Sequence, residues 1–164
     1  MKIKIENRVT KTIIIEGESP SLRKFLEVNR NVDLLYANLY NASLSGINLS
    51  GVNLTDANLA RADLSGAILR RSDLCSINLS GANLHNADLH NVNLSDANLD
   101  SADLSDVDLS GATLCRASLC NANLCNANLY NTDLCRADLS GVNINTIQKD
   151  WFLKAAGVII NSKA

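Results

Sequence analysis

Residues 82–101 read ANLHNADLHNVNLSDANLDS. They are four runs of five residues, each with an Asn or Asp second and a Leu third. The spacing extends in both directions. From Leu34 a leucine occupies every fifth position to Leu139, and Ile144 closes a series of 23 units. Two places before each stands a small or β-branched residue: 14 Ala, five Val, two Ile, Ser72 and Thr132. Asn or Asp immediately precedes the Leu in 19 of the 23 units, the exceptions being Ser43, Ile68, Thr113 and Ser118.

Neither common element accepts this period. Five residues of α-helix turn by about 500°, so successive leucines would fall about 140° apart and line no single face. In a straight strand an odd spacing sends alternate leucines to opposite sides. The chain must therefore turn a corner in every unit, with each Leu directed at one shared interior. Asn and Asp suit such corners, because they tolerate turn conformations and hydrogen-bond their own backbone. Six glycines, Gly46, Gly51, Gly66, Gly81, Gly111 and Gly141, all fall two places after the Leu, a second sign of a fixed corner phase. Sides of about three extended residues are roughly 10 Å long. Four of them would enclose a square just wide enough for four leucines.

The units ANLAR, ADLSG, ANLHN and ADLSD resemble the A-(D/N)-L-x-x signature of the pentapeptide-repeat proteins. The resemblance covers residues 32–146 and implies an all-β solenoid: a right-handed quadrilateral β-helix of about 20 residues per coil. The Leu and the residue two before it would point inward. With rungs about 4.8 Å apart, five and three-quarter coils make a rod roughly 28 Å long. Ile47 and Ile77 are large for the small inner position, and Ile68 is apolar where Asn or Asp is expected, which predicts local bulging. The expected organisation is an N-terminal cap over 1–30, the β-helix over 31–146 and a C-terminal cap over 147–164.

Both ends need covers, since an open coil exposes leucines and unpaired backbone. In the N-terminal cap, KIKIENRVTKTIII reads as one strand or a hairpin about Glu6-Asn7. Ser19 is then a candidate helix N-cap and Pro20 a first helical residue, with Leu22, Phe25 and Leu26 on one apolar face. At the other end, Trp151, Phe152 and Leu153 on a short helix would plug the last coil. Apolar residues left over from capping would supply a homodimer contact, so the expected state is a monomer or an end-to-end dimer.

The formal net charge is −2, which predicts neither a nucleic-acid binder nor a solubilising acidic tail, and no segment approaches the roughly 20 apolar residues of a membrane span. That charge conceals a +3 N-terminal cap, a −7 repeat array and a +2 C-terminal segment. Charges interrupt the N-terminus where a signal peptide needs about 7–15 apolar residues, so the expectation is a cytoplasmic protein with no membrane span.

All five cysteines, Cys75, Cys115, Cys120, Cys125 and Cys135, stand just after a Leu and should face outward. Four sulfurs spread over three walls cannot reach one zinc at about 2.3 Å, so no metal is expected. Cys115 and Cys135 would stack one coil apart. A disulfide between them is feasible with some strain, since rungs lie about 4.8 Å apart and a disulfide wants Cβ atoms about 3.8 Å apart. His85 and His90 have Ser65, Ser105, Arg70 and Ser110 on their ladders, without a carboxylate. No Ser/His/Asp set, phosphate loop or paired-carboxylate cleft is visible, so neither catalysis nor a cofactor is expected.

The remaining feature is acidic. Asp96, Asp100, Asp103, Asp106 and Asp108 crowd into less than one coil, and Asp88 lies under Asp108. These residues form the candidate interaction surface for an unidentified protein partner. Asp100→Ala is expected to leave stability nearly unchanged, and Leu94→Asp to prevent folding. The family resemblance adds an alternative, an acidic DNA mimic that binds a type II topoisomerase (gyrase) and protects it from inhibitors. Charge counting weighs against it. A 28 Å duplex carries about 16 phosphates, whereas the array has twelve carboxylates offset by five Arg.

Overall fold

A computed structural model describes residues 1–30 and 32–145. Its repeating element is the corner. Each Leu carbonyl accepts from the N–H three residues on, at 2.9–3.4 Å from Leu34 to Leu139. The residue two after the Leu has positive φ in every unit from Tyr36 (58°) to Gly141 (68°). A negative φ followed by a positive one across that hydrogen bond is a type II turn. Sixteen of these corners are not glycine, so the coil is closed by interactions strong enough to hold ordinary residues in the left-handed region.

Between corners, single residues pair in parallel with residues 20 further on. Asn38 bridges Asn58, Ser43 bridges Asp63, Asn48 bridges Ile68 and Asn53 bridges Asp73, and the four series continue upward. Four corners per 20 residues make a four-sided coil. Leu94 and Leu114 occupy one wall: the Leu94 N–H donates to the carbonyl of Thr113 at 2.7 Å, and both leucines are fully buried. The interior is a column of Leu and Ala closed to solvent over most of its length. Burying each leucine contributes about 1.5–3 kcal/mol. Ser72 and Thr132 fit inside because their hydroxyls donate to the carbonyls of Leu49 and Leu109, at 2.7 and 2.8 Å.

Two expectations change. The Asn or Asp before each Leu sits on the wall, not at the corner. It is the bridging residue, and its side-chain oxygen accepts the N–H two residues on, as Asn38 does from Tyr40 and Asp138 from Ser140. The residue type serves the corner from outside it. The expected bulging is also absent. Ile47 and Ile77 are fully buried, and their carbonyls accept from Ile68 and Asn98 at 2.8 and 2.9 Å. Ala67 stacks above Ile47, and Ala57 and Ala97 flank Ile77 along the column. Large residues alternate with small ones, so the volume evens out.

The N-terminal segment closes one end. β1 (Lys2–Glu6) and β2 (Ile13–Glu18) form an antiparallel hairpin with an irregularity at Ile5/Glu6. The hairpin docks edge-on to the first coil. Asn38 donates to the Glu6 carbonyl at 2.8 Å, and Arg8 N–H donates to Tyr36 at 2.7 Å. α1 (Leu22–Val28) is capped by Ser21, whose hydroxyl accepts from Lys24 N–H at 3.1 Å. Ser19, the expected cap, instead lies just past the end of β2 and pairs with the start of the chain: its N–H donates to the Met1 carbonyl and its carbonyl accepts from the N-terminus. Ile3, Ile5, Phe25 and Leu26 are buried against the first coil, and Leu22 is partly buried. Gly17 is needed for this closure, because a Cβ there would lie 2.8 Å from the Phe25 ring. Trp151, Phe152 and Leu153 lie outside the described residues.

Candidate interaction surface

Three positions per unit face outward: the residue before the Leu, the residue after it and the corner residue beyond. The wall residue before the Leu lines the rungs. Along those rungs the amides of Asn53, Asn83, Asn93, Asn123 and Asn128 donate to the carboxylates of Asp33, Asp63, Asp73, Asp103 and Asp108, at 2.9–3.2 Å. An Asn above an Asp converts a like-charge clash into a hydrogen bond.

The structure spreads the six candidate aspartates round the rod. Asp96 is at the corner beyond Leu94, and Asp100 is on the Leu99 wall. Asp103 is on the Leu104 wall with Asp106 at its corner, and Asp88 and Asp108 are stacked on the Leu109 wall. Closeness in sequence becomes dispersion in space, because each unit turns a quarter of the circumference. Each carboxylate is also engaged. Arg116 binds Asp96 with two hydrogen bonds, at 2.6 and 2.7 Å; these, more than any other influence, hold the Asp96 pKa below the usual range. Arg70 pairs with Asp88, which relieves the repulsion expected against Asp108. Burial alone would raise Asp103 and Asp108. Hydrogen bonds from Ser105 and Asn123, and from Ser110 and Asn128, together with nearby His85 and His90, outweigh it and lower both.

Asp100 has a task that the sequence did not reveal. Ser118 replaces the usual Asn or Asp in the unit above, and Asp100 accepts both the Ser118 hydroxyl and the Cys120 N–H, the latter at 3.1 Å. One coil thus supplies the acceptor that its neighbour lacks. These contacts argue for a loss of stability on Asp100→Ala in place of the expected neutrality.

The histidines also differ from expectation. His85 Nδ1 lies 3.6 Å from Asp106 and 3.0 Å from Ser105 Oγ, and Ser105 donates to Asp103 at 2.7 Å. A quarter turn on, His90 Nδ1 is 3.0 Å from Ser110 Oγ, which donates to Asp108 at 2.6 Å. Ser/His/Asp sets therefore do form in space. Their wiring is unlike that of a hydrolase, in which the serine donates to the histidine. Here the single hydroxyl hydrogen goes to the aspartate, so the serine accepts from the histidine. Such a hydroxyl is not activated as a nucleophile. For His90 the remaining nitrogen, Nε2, accepts from the Asn91 amide at 2.8 Å.

All five cysteines are free thiols. Cys115 donates to Asp133 at 3.0 Å and Cys120 to Asp138 at 3.2 Å. The Asp133 hydrogen bond is the main reason the Cys115 pKa is pushed up to about 11. Two shallow open grooves lie beside the N-terminal cap, sharing Arg30 and Val32. Among the described residues no three His, Cys, Asp or Glu side chains gather as a metal-binding group, and no helix is long and apolar enough to cross a membrane.

A four-sided coil filled with leucine and clad in hydrogen-bonded rungs defines a repeat solenoid. The family model for pentapeptide repeats matches residues 33–71, 67–106 and 102–141, with 8 copies, and the chain belongs to the pentapeptide-repeat family. Its fold is similar to that of a pentapeptide repeat protein of the Arabidopsis thaliana thylakoid lumen. That match has 29% identity and a TM-score of 0.65, and covers 68% of this chain and 77% of that one. A pentapeptide repeat protein of Nostoc PCC 7120 has 29% identity and a TM-score of 0.52, over 78% of this chain and 100% of that one. No curated protein is significantly similar in sequence.

Proposed function

We propose that this protein is a non-enzymatic interaction rod, a right-handed quadrilateral β-helix that offers a flat wall to a basic protein surface. The observation that carries this reading is the charge of the Leu104 wall. It bears Asp63 and Asp103, with Asp106 at its edge, and no Lys or Arg of the repeats stands between its corners; Arg23 of the N-terminal cap reaches it at its capped end, where it donates to the Ser45 carbonyl at 2.8 Å. The other aspartates of the candidate set are on other walls, and Asp88 and Asp96 are matched by Arg70 and Arg116. A filled interior, shallow grooves and histidines wired to accepting serines all favour binding over chemistry. The reading places the protein in the cytoplasm, away from nucleic acid and membrane. The topoisomerase alternative draws less support, because its acidic residues would need to align along one face.

The test compares the wild type with Asp63→Asn/Asp103→Asn/Asp106→Asn. Asn occupies equivalent rungs elsewhere, so the fold is retained. Both are immobilised and exposed to a cell extract at moderate salt. Proteins kept by the wild type and lost by the variant are expected. Identical sets would refute the assigned wall, and no retention by either would refute the rod as an interaction protein. Protection of gyrase supercoiling from a quinolone in a parallel assay would support the alternative.

A further inference from the structure

Cys115 and Cys135 occupy the same outward position on consecutive coils, locked in register by the Arg116 N–H donating to the Cys135 carbonyl at 2.8 Å. Cys135 is exposed, whereas Cys115 is half-buried and donates its proton to Asp133 Oδ2 at 3.0 Å. Asp133 is itself fixed, since its other oxygen accepts the Cys135 N–H at 3.0 Å. One thiol is therefore open to attack from solvent, and the other is held beside it with its proton restrained.

We propose that Cys135 and Cys115 form a reversible disulfide clamp between consecutive coils, formed by a small disulfide such as oxidised glutathione, with Cys135 as the entry thiol and Asp133 as a brake on Cys115. In the first step Cys135 loses its proton to water. Its thiolate attacks one glutathione sulfur and expels a glutathione thiolate, leaving a mixed disulfide on Cys135. In the second, Cys115 gives up its proton and attacks the Cys135 sulfur, expelling the second glutathione thiolate. Two protein thiols are oxidised, one glutathione disulfide is reduced, and the two leaving thiolates take up the two protons. Closing requires the sulfur-bearing carbons to approach from about 4.8 Å to about 3.8 Å. The resulting strain makes the bond easy to reduce, as a switch requires. The clamp would fasten the coil that holds Leu134 and Leu139, which are only partly buried.

The test uses the full chain with Cys75→Ser, Cys120→Ser and Cys125→Ser, so that only Cys115 and Cys135 remain. Ser already stands at equivalent sites such as Ser95, Ser80 and Ser105. After incubation with oxidised glutathione, the expected product is a monomer that has lost both thiols and two hydrogens in mass, retains no glutathione and melts at higher temperature. Adding Cys115→Ser should trap glutathione on Cys135. Retained glutathione without that substitution, a covalent dimer, or two persistent thiols would each overturn the clamp. Asp133→Asn frees the Cys115 proton, and Asn keeps the turn, as Asn53 and Asn93 do on the same ladder. Closure should then be roughly tenfold faster, because the gain in thiolate is partly offset by weaker nucleophilicity. Closure no faster than with Asp133 would overturn its assignment as the brake.

Discussion

Arg116 grips Asp96 from one coil above, Nε to Oδ1 at 2.6 Å and Nη2 to Oδ2 at 2.7 Å. The two residues are 20 apart in sequence and share one corner of the rod. Because Arg116 holds the folded-state pKa of Asp96 below its ordinary value, the carboxylate stabilises the fold above the unfolded pKa. That contribution is lost as pH falls through the folded value. Asp96→Asn should therefore lower the melting temperature equally at neutral pH and at about pH 5. The gap should narrow below about pH 4, near the ordinary Asp value. High salt should shrink it as well, since the pair is exposed. Thermal melts across pH and salt check both trends.

Leu94 is fully buried in the column, whereas Leu134 is only partly buried near the last described coil. Leu94→Ala should cost about 2–5 kcal/mol in denaturant unfolding, through lost burial and a residual cavity. Leu134→Ala should cost less. Leu94→Asp should prevent folding, because no partner is available for a charge at that depth.

Gly66 and Gly111 both sit at corners with positive φ, 63° and 68°. Either Ala substitution incurs the left-handed penalty of about 1–2 kcal/mol. At Gly66 a Cβ meets nothing within 4 Å, but at Gly111 it would stand 2.2 Å from Asn91 Oδ1. Gly111→Ala should be the more destabilising in urea titrations. Adding Asn91→Gly should remove the difference.

Asp100→Ala removes the acceptor for Ser118 and Cys120, and should cost about 1–3 kcal/mol. Adding Ser118→Asn supplies the acceptor used in the other units and should restore most of the loss. A double-mutant cycle by chemical denaturation reads the coupling directly.

The period of five was enough to reveal the coil, because an inward Leu and a corner Gly at constant spacing leave little topological choice. The role of the Asn and Asp residues was harder to read. A side chain that accepts the N–H two residues ahead produces the same pattern whether it stands in the corner or just before it. Polar contacts between coils were also partly hidden. Counting by 20 places Arg116 over Asp96, but Arg70 reaches Asp88 and Cys115 reaches Asp133 at an offset of 18, while His85 approaches Asp106 at 21. Side chains lean along the wall or across the corner, and that lean depends on rotamers more than on spacing. The N-cap was misplaced because Ser19 and Ser21 are equally good caps locally, and only the hairpin decides which one is free.

The quarter-turn advance of each unit makes the rod behave like an indexing dial. Excising one full revolution of twenty residues would shorten it while returning every remaining side chain to its original compass bearing. Excising five between Asp96 and Arg116 would bring Arg116 round to the neighbouring edge and strand both charges, although the leucine column would close perfectly well. Insertions and deletions that the interior tolerates equally are therefore sorted by the exterior, where only whole revolutions preserve the pairing.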